Sequence, residues 1–89
     1  MRISKGRAWF VSAGGVRVWN ERASLFQPLS VQESALWELI AGSVSPDLWP
    51  SVLAAAVGEG EGTGMPGWVA ETLLSWRELG WLDEESRHG

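Results

Sequence analysis

Two hydrophobic periods divide the chain. Up to Pro28 the apolar positions favour short strands, and from Ser30 onward they recur every three to four residues. Arg7 to Ser12 (RAWFVS) is apolar and β-prone. The following Ala13-Gly14-Gly15 holds a glycine pair able to take the positive φ angles of a tight hairpin. Val16-Arg17-Val18-Trp19 then alternates, with the two valines on one face and Arg17 and Trp19 on the other. Asn20-Glu21-Arg22-Ala23 reads as a second turn. Ser24-Leu25-Phe26-Gln27 reads as a short third strand, ended by Pro28. A proline cannot donate to a ladder and suits an edge strand. Leu25 and Phe26 point to opposite faces of the sheet, so only one is expected in the core.

The helical half opens on Ser30 and Glu33, the S-x-x-E spacing of a capping box, with Leu29 placed for a hydrophobic staple. Val31, Ala35, Leu36, Leu39 and Ile40 predict one buried face, and Gly42 a stop. A second helix is expected with Asp47 as N-cap, Pro50 in the first turn, and Trp49, Val52, Leu53 and Ala56 inward. The stretch 58–64, glycine alternating with Glu59, Glu61 and Thr63, reads as a flexible linker. It carries no lysine and two carboxylates, which argues against a phosphate loop. Pro66 starts a third helix, with Val69, Leu73 and Trp76 on one stripe and Trp68, Thr72, Ser75 and Leu79 on the next. Gly80 at C′ and Trp81 at C″ suit a Schellman cap that packs Trp81 on Trp76. The expected architecture is α+β, a three-stranded antiparallel sheet on three helices. It forms a single domain over residues 1–89, with strands over about 7–28, helices over about 30–82 and a polar tail over 83–89.

Composition narrows the chemistry. The 89 residues include no cysteine and one histidine, His88. That leaves no thiolate site, and the penultimate histidine is poorly placed for a triad or a metal cluster. No cofactor and no metal are expected. Carboxylate pairs such as Glu33 with Glu38, or Glu71 with Glu78, do not share a helix face well, so catalysis is not expected. Seven tryptophans exceed what so small a core needs, so some indoles should face a partner. No apolar run reaches the roughly 18 residues of a membrane span, and no signal peptide is evident, so a cytoplasmic protein is expected. The net charge is −4, yet Arg2, Lys5, Arg7, Arg17 and Arg22 crowd the first 22 residues. This basic third would steer an acidic peptide.

These motifs, in their order, carry a resemblance. The strand VRVWN at 16–20, the helix entry LFQPLS at 25–30, ESALWELIAG at 33–42 and VAETLLSWRELGWL at 69–82 resemble the PqqD-like family. That family comprises the peptide chaperones typified by pyrroloquinoline quinone biosynthesis protein D, and includes the RiPP recognition elements (RiPPs are ribosomally made, post-translationally modified peptides). The closing Gly80-Trp81-Leu82 looks like the family's closing Gly-Trp-Leu. The resemblance spans about Arg7 to Asp83. It implies a winged helix-turn-helix fold that binds the leader of a precursor peptide as a strand added beside the third strand, in the groove next to the third helix. It also implies presentation of the precursor to a modifying enzyme or a leader protease, as in lasso-peptide systems. Carried over, the backbone of Ser24, Leu25, Phe26 and Gln27 would hold the guest. Trp68, Val69, Thr72, Leu73 and Trp76 would supply or support an apolar wall.

Other functions remain in view. A winged helix can read DNA, but the third helix sets one arginine, Arg77, against Glu71 and Glu78, so no nucleic-acid partner is expected. A structural subunit of a kinase-linked PqqD-like system is a further alternative. The open strand edge could also pair with a second copy as a homodimer.

Overall fold

The structure, a computed structural model, describes residues 2–56 and 65–83. The expected linker at 58–64 and His88 lie outside the described residues. The described residues form a small α+β domain of two sheets and three helices. Its strands are β1 (Arg2–Ile3), β2 (Trp9–Ser12), β3 (Gly15–Asn20), β4 (Leu25–Pro28) and β5 (Leu82–Asp83). Its helices are α1 (Val31–Ala41), α2 (Trp49–Ala56) and α3 (Gly67–Glu78), with a 3-10 turn at Pro46–Leu48 before α2.

The main sheet has the antiparallel order β2-β3-β4. In β3, Val16, Val18 and Asn20 are buried, while Arg17 and Trp19 are partly exposed on the outer face. The strand expected from Arg7, β2, begins at Trp9, and the Arg7 guanidinium instead donates to the carbonyls of Trp19 (3.4 Å) and Gly80 (3.1 Å). The positive φ of the β2–β3 hairpin falls on Gly15, at +118°. At the β3–β4 turn, Asn20 Oδ1 accepts from the backbone N–H groups of Arg22 (3.0 Å) and Ala23 (3.2 Å), the local bonding that suits asparagine to turns. Ser24 belongs to this turn and not to the strand. Its φ of 56° is left-handed, because the chain must reverse before the ladder resumes.

The capping box forms as expected. Glu33 N–H donates to Ser30 Oγ (3.1 Å), and Ser30 N–H donates to Glu33 Oε1 (2.9 Å). On α1, Leu36, Leu39 and Ile40 are buried, but Val31, in the first turn, is 69% exposed beside the hollow at the β2–β3 hairpin tip. Trp37, outside the expected stripe, is fully buried. The helix ends at Ala41 with Gly42 as its C-cap, as expected, but the left-handed position falls on the next residue. Ser43 takes the left-handed position (φ 58°), its N–H bonding to Ile40 O (3.1 Å) and that of Val44 to Leu39 O (3.0 Å). This is a Schellman motif with serine at C′. Ser45, and not Asp47, caps the next turn. On α2, Trp49, Leu53 and Ala54 face inward, whereas Val52 and Ala56 are exposed. The short helix presents only one narrow stripe to α1.

The end of α3 closes as a second Schellman motif. Trp81 N–H donates to Trp76 O (2.9 Å), Gly80 N–H donates to Arg77 O (3.0 Å), and Gly80 has φ +80°. The chain then pairs with its own N-terminus, in register Arg2↔Asp83 and Ile3↔Leu82. Asp83 is thus a strand residue and not the start of a tail. Ser4 ties this small sheet, its single hydroxyl hydrogen shared between two acceptors within reach, Gly80 O (3.0 Å) and Asp83 Oδ1 (2.9 Å).

The core is built on indoles. Trp37 meets Trp9, Trp76 and Trp81 edge to face, at centroid distances of 5.9, 5.1 and 6.0 Å. Edge-to-face pairs of this kind add about 0.5–1.5 kcal/mol each beyond area burial. Val16, Val18, Leu29, Leu36, Leu53, Val69 and Leu82 fill the space around them.

Candidate functional site

The ladder alternation decides what β4 offers at its open edge. Leu29 N–H donates to Val16 O (2.9 Å), so the hydrogen-bonded pairs fall at Val18↔Gln27 and Asn20↔Leu25. The intervening pairs, Trp19↔Phe26 and Arg17↔Pro28, turn their main-chain groups away from each other. On β4 this directs the N–H and C=O of Phe26, and the C=O of Pro28, out of the sheet. Pro28 has no N–H to leave unpaired there, which is where an edge strand tolerates proline.

A cleft lies on the inner side of this edge. Gln27 of β4, Glu33 of α1 and Glu71, Thr72, Ser75 and Trp76 of α3 line it, with Leu79 at its end. Gln27 is held by its own Oε1, which accepts from Asn20 Nδ2 (2.8 Å). Thr72 is half-buried, and Trp76 is anchored in the core against Trp37. Two carboxylates and no cation line the cleft among the described residues. The basic residues that were expected to steer an acidic peptide stand elsewhere. Arg2 is in β1, Lys5 follows it, Arg7 braces the α3 end, Arg17 is on the outer sheet face and Arg22 is in the turn before β4; none of them lines the cleft.

The nine residues singled out from sequence separate into distinct roles. Gln27, Thr72 and Trp76 come together at the cleft. Gln27 contributes its side chain as well as its backbone. Phe26 supplies the outward main-chain groups, and Leu25 is the neighbouring strand residue. Ser24 sits in the turn. Val69 is core. Trp68 and Leu73 are partly buried and pack against that core, so Trp68 is not set apart as a groove anchor. Leu25 and Phe26 are both exposed, at 47% and 38%, so neither enters the core; β4 is an edge strand paired only with β3. Sequence reasoning missed Glu33 and Glu71 as cleft residues. The stripe Thr72, Ser75, Leu79 carried part of that signal, since Glu71 adjoins it.

On the outer face of the sheet, Phe26 lies edge-on to Phe10 (5.1 Å) and to Trp19 (5.2 Å). Phe10 and Phe26 are both exposed. Another hollow lies where the β2–β3 hairpin tip meets α1 and α2, lined in part by Val31, Ala35 and Val52. It is somewhat larger but borders no open strand edge, so it lacks the main-chain groups that make the β4 cleft chemically specific.

No group of three or more His, Cys, Asp or Glu side chains among the described residues is arranged to hold a metal ion. None of the described helices is long and apolar enough to cross a membrane. Comparison of the chain with protein-family models, curated proteins and solved structures gives no match.

Proposed function

We propose that the chain is a PqqD-like peptide-binding domain of winged helix-turn-helix type. It is a non-catalytic RiPP recognition element acting in the cytoplasm. It binds the leader of a precursor peptide by strand addition at β4, beside α3, and presents the precursor to a modifying enzyme or leader protease. The observation that carries this reading is the edge itself. The main-chain donor and acceptor of Phe26 point outward above a cleft whose far wall is α3. Strand addition draws affinity from such groups and specificity from the pockets beside them. The sheet-then-three-helices order and the sequence motifs support the family reading.

Titration with the leader of a precursor encoded beside this chain's gene tests it. Amide shifts at Leu25, Phe26 and Gln27, and at Thr72, are the expected outcome. Phe26→Pro removes the one outward N–H while leaving the β3–β4 hydrogen-bonded pairs intact, so it should abolish binding in a folded protein. Phe26→Ala, which keeps the N–H but removes the ring from the outer cluster, should weaken binding less than Phe26→Pro. Saturating leader that leaves the β4 amides unmoved refutes the proposal.

A further inference from the structure

The pleat of β4 dictates what an added strand must carry. Side chains of neighbouring strands share a face at each register position and alternate along the strand. A guest residue opposite Phe26 therefore points to the outer face, beside the exposed edge-to-face cluster of Phe10, Phe26 and Trp19. The guest residues on either side of it point to the inner face, one beside Gln27, which lines the cleft with Glu33 and Glu71, and the other beside the exposed Leu25 at the strand's start.

These faces differ in chemistry. The outer cluster rewards an apolar or aromatic side chain. The inner cleft sets two carboxylates around the polar side chains of Gln27, Thr72 and Ser75, with no cation lining it. Glu33 spends one oxygen on the Ser30 N–H. A carboxylate still has acceptor capacity left for a second donor. An acidic guest would bring like charges together, whereas a basic one would complete the cleft.

We propose that the segment recognised at β4 is a basic–apolar–basic strand, its apolar residue opposite Phe26 and its flanking lysine or arginine side chains on the inner face, toward Glu33 and Glu71. This rests on the strand-addition reading and names the class of peptide it takes. It reverses the acidic preference that the basic N-terminal third suggested.

Three eight-residue peptides test it at low salt, followed by amide shifts and affinity. The first alternates lysine with valine around a central phenylalanine. The second has glutamate at each lysine position. The third has the composition of the first with its lysines grouped in one block. Two exposed ion pairs contribute up to about 1.4 kcal/mol together, so the first peptide should bind up to about tenfold tighter than the second. It should also bind more tightly than the third. In the Glu33→Gln/Glu71→Gln protein the charge preference should disappear, while glutamine at position 33 preserves the capping box. Equal or tighter binding of the glutamate peptide, with shifts at Phe26 and Gln27, overturns this inference and leaves strand addition standing. So does a preference that survives the double substitution, or shifts with the natural leader but with none of the three peptides. Unmoved β4 amides with the natural leader and with all three peptides overturn both.

Discussion

Gly15 and Ser34 make a measurable pair. Ser34 Oγ accepts from the buried Val16 N–H (2.9 Å) and donates to Leu29 O (3.4 Å), so it stands in the ladder where β3 meets the residue leaving β4. A Cβ built on Gly15 would sit 2.8 Å from that same Oγ, and Gly15 has φ +118°. Ser34→Ala strands the Val16 N–H and should cost about 1–3 kcal/mol. Gly15→Ala carries a backbone strain of about 1–3 kcal/mol and also displaces Oγ, forfeiting the same bond. In the double variant the strain remains, but the bond is lost once and not twice. The next atoms met by the new Cβ are at ordinary contact distance, 3.5 and 3.7 Å. The two single losses should therefore exceed the double loss by about 1–3 kcal/mol. Urea unfolding at 25 °C, read by tryptophan fluorescence and far-ultraviolet circular dichroism, gives the cycle. Sucrose can be added to all four proteins if Gly15→Ala is too unstable, since it strengthens burial generally. Additivity within about 0.5 kcal/mol would refute the shared contact.

Trp37→Ala removes the indole on which three others converge and should cost about 3–5 kcal/mol. That approaches the whole stability of so small a core, so loss of the near-ultraviolet dichroism at 25 °C is the expected result. Ser43→Gly should act in the opposite direction, because Ser43 holds a left-handed C′ position that glycine adopts without a Cβ penalty. A gain of about 1 kcal/mol, seen as a rise of roughly 4–8 °C in Tm, is expected; no rise would mean that the serine is not strained there.

The elements legible in the sequence are those fixed by local chemistry. Ser30 and Glu33 announce the start of α1, and Gly80 with Trp81 announces the end of α3, because each motif is completed within six residues. Val16 and Val18 are legible because strand alternation is short-range. The misses arise from tertiary neighbours. Val31 and Val52 obey the helical period but face outward, since too few of the described residues pack against them. Trp37 breaks the apparent stripe and is nonetheless central, because Trp9, Trp76 and Trp81 arrive from β2 and the α3 end to surround it. Pairing of Arg2 and Ile3 with Asp83 and Leu82 spans nearly the whole chain and leaves no local signature. The cleft shows the same division. Thr72 and Trp76 could be placed on α3 by spacing, but no spacing rule brings Glu33 of α1 opposite Glu71.

The tryptophan core bears directly on the cleft. Trp76 lines the cleft and is also the closest ring partner of Trp37, so the α3 wall is fixed by the same contacts that stabilise the domain. Across the cleft, Gln27 is held by Asn20, whose carbonyl also organises the turn leading into β4. Both walls are thus set before any guest arrives, which lowers the ordering cost on the protein's side. The edge between them is short. It offers one outward N–H, at Phe26, because Pro28 occupies the next outward position without a donor. So short an edge limits indiscriminate pairing with other chains, the hazard of open strands. It also means that the few main-chain bonds, though required, need reinforcement from side chains. Recognition must then depend on the side chains above and below the added strand, the aromatic cluster on one face and the carboxylates on the other.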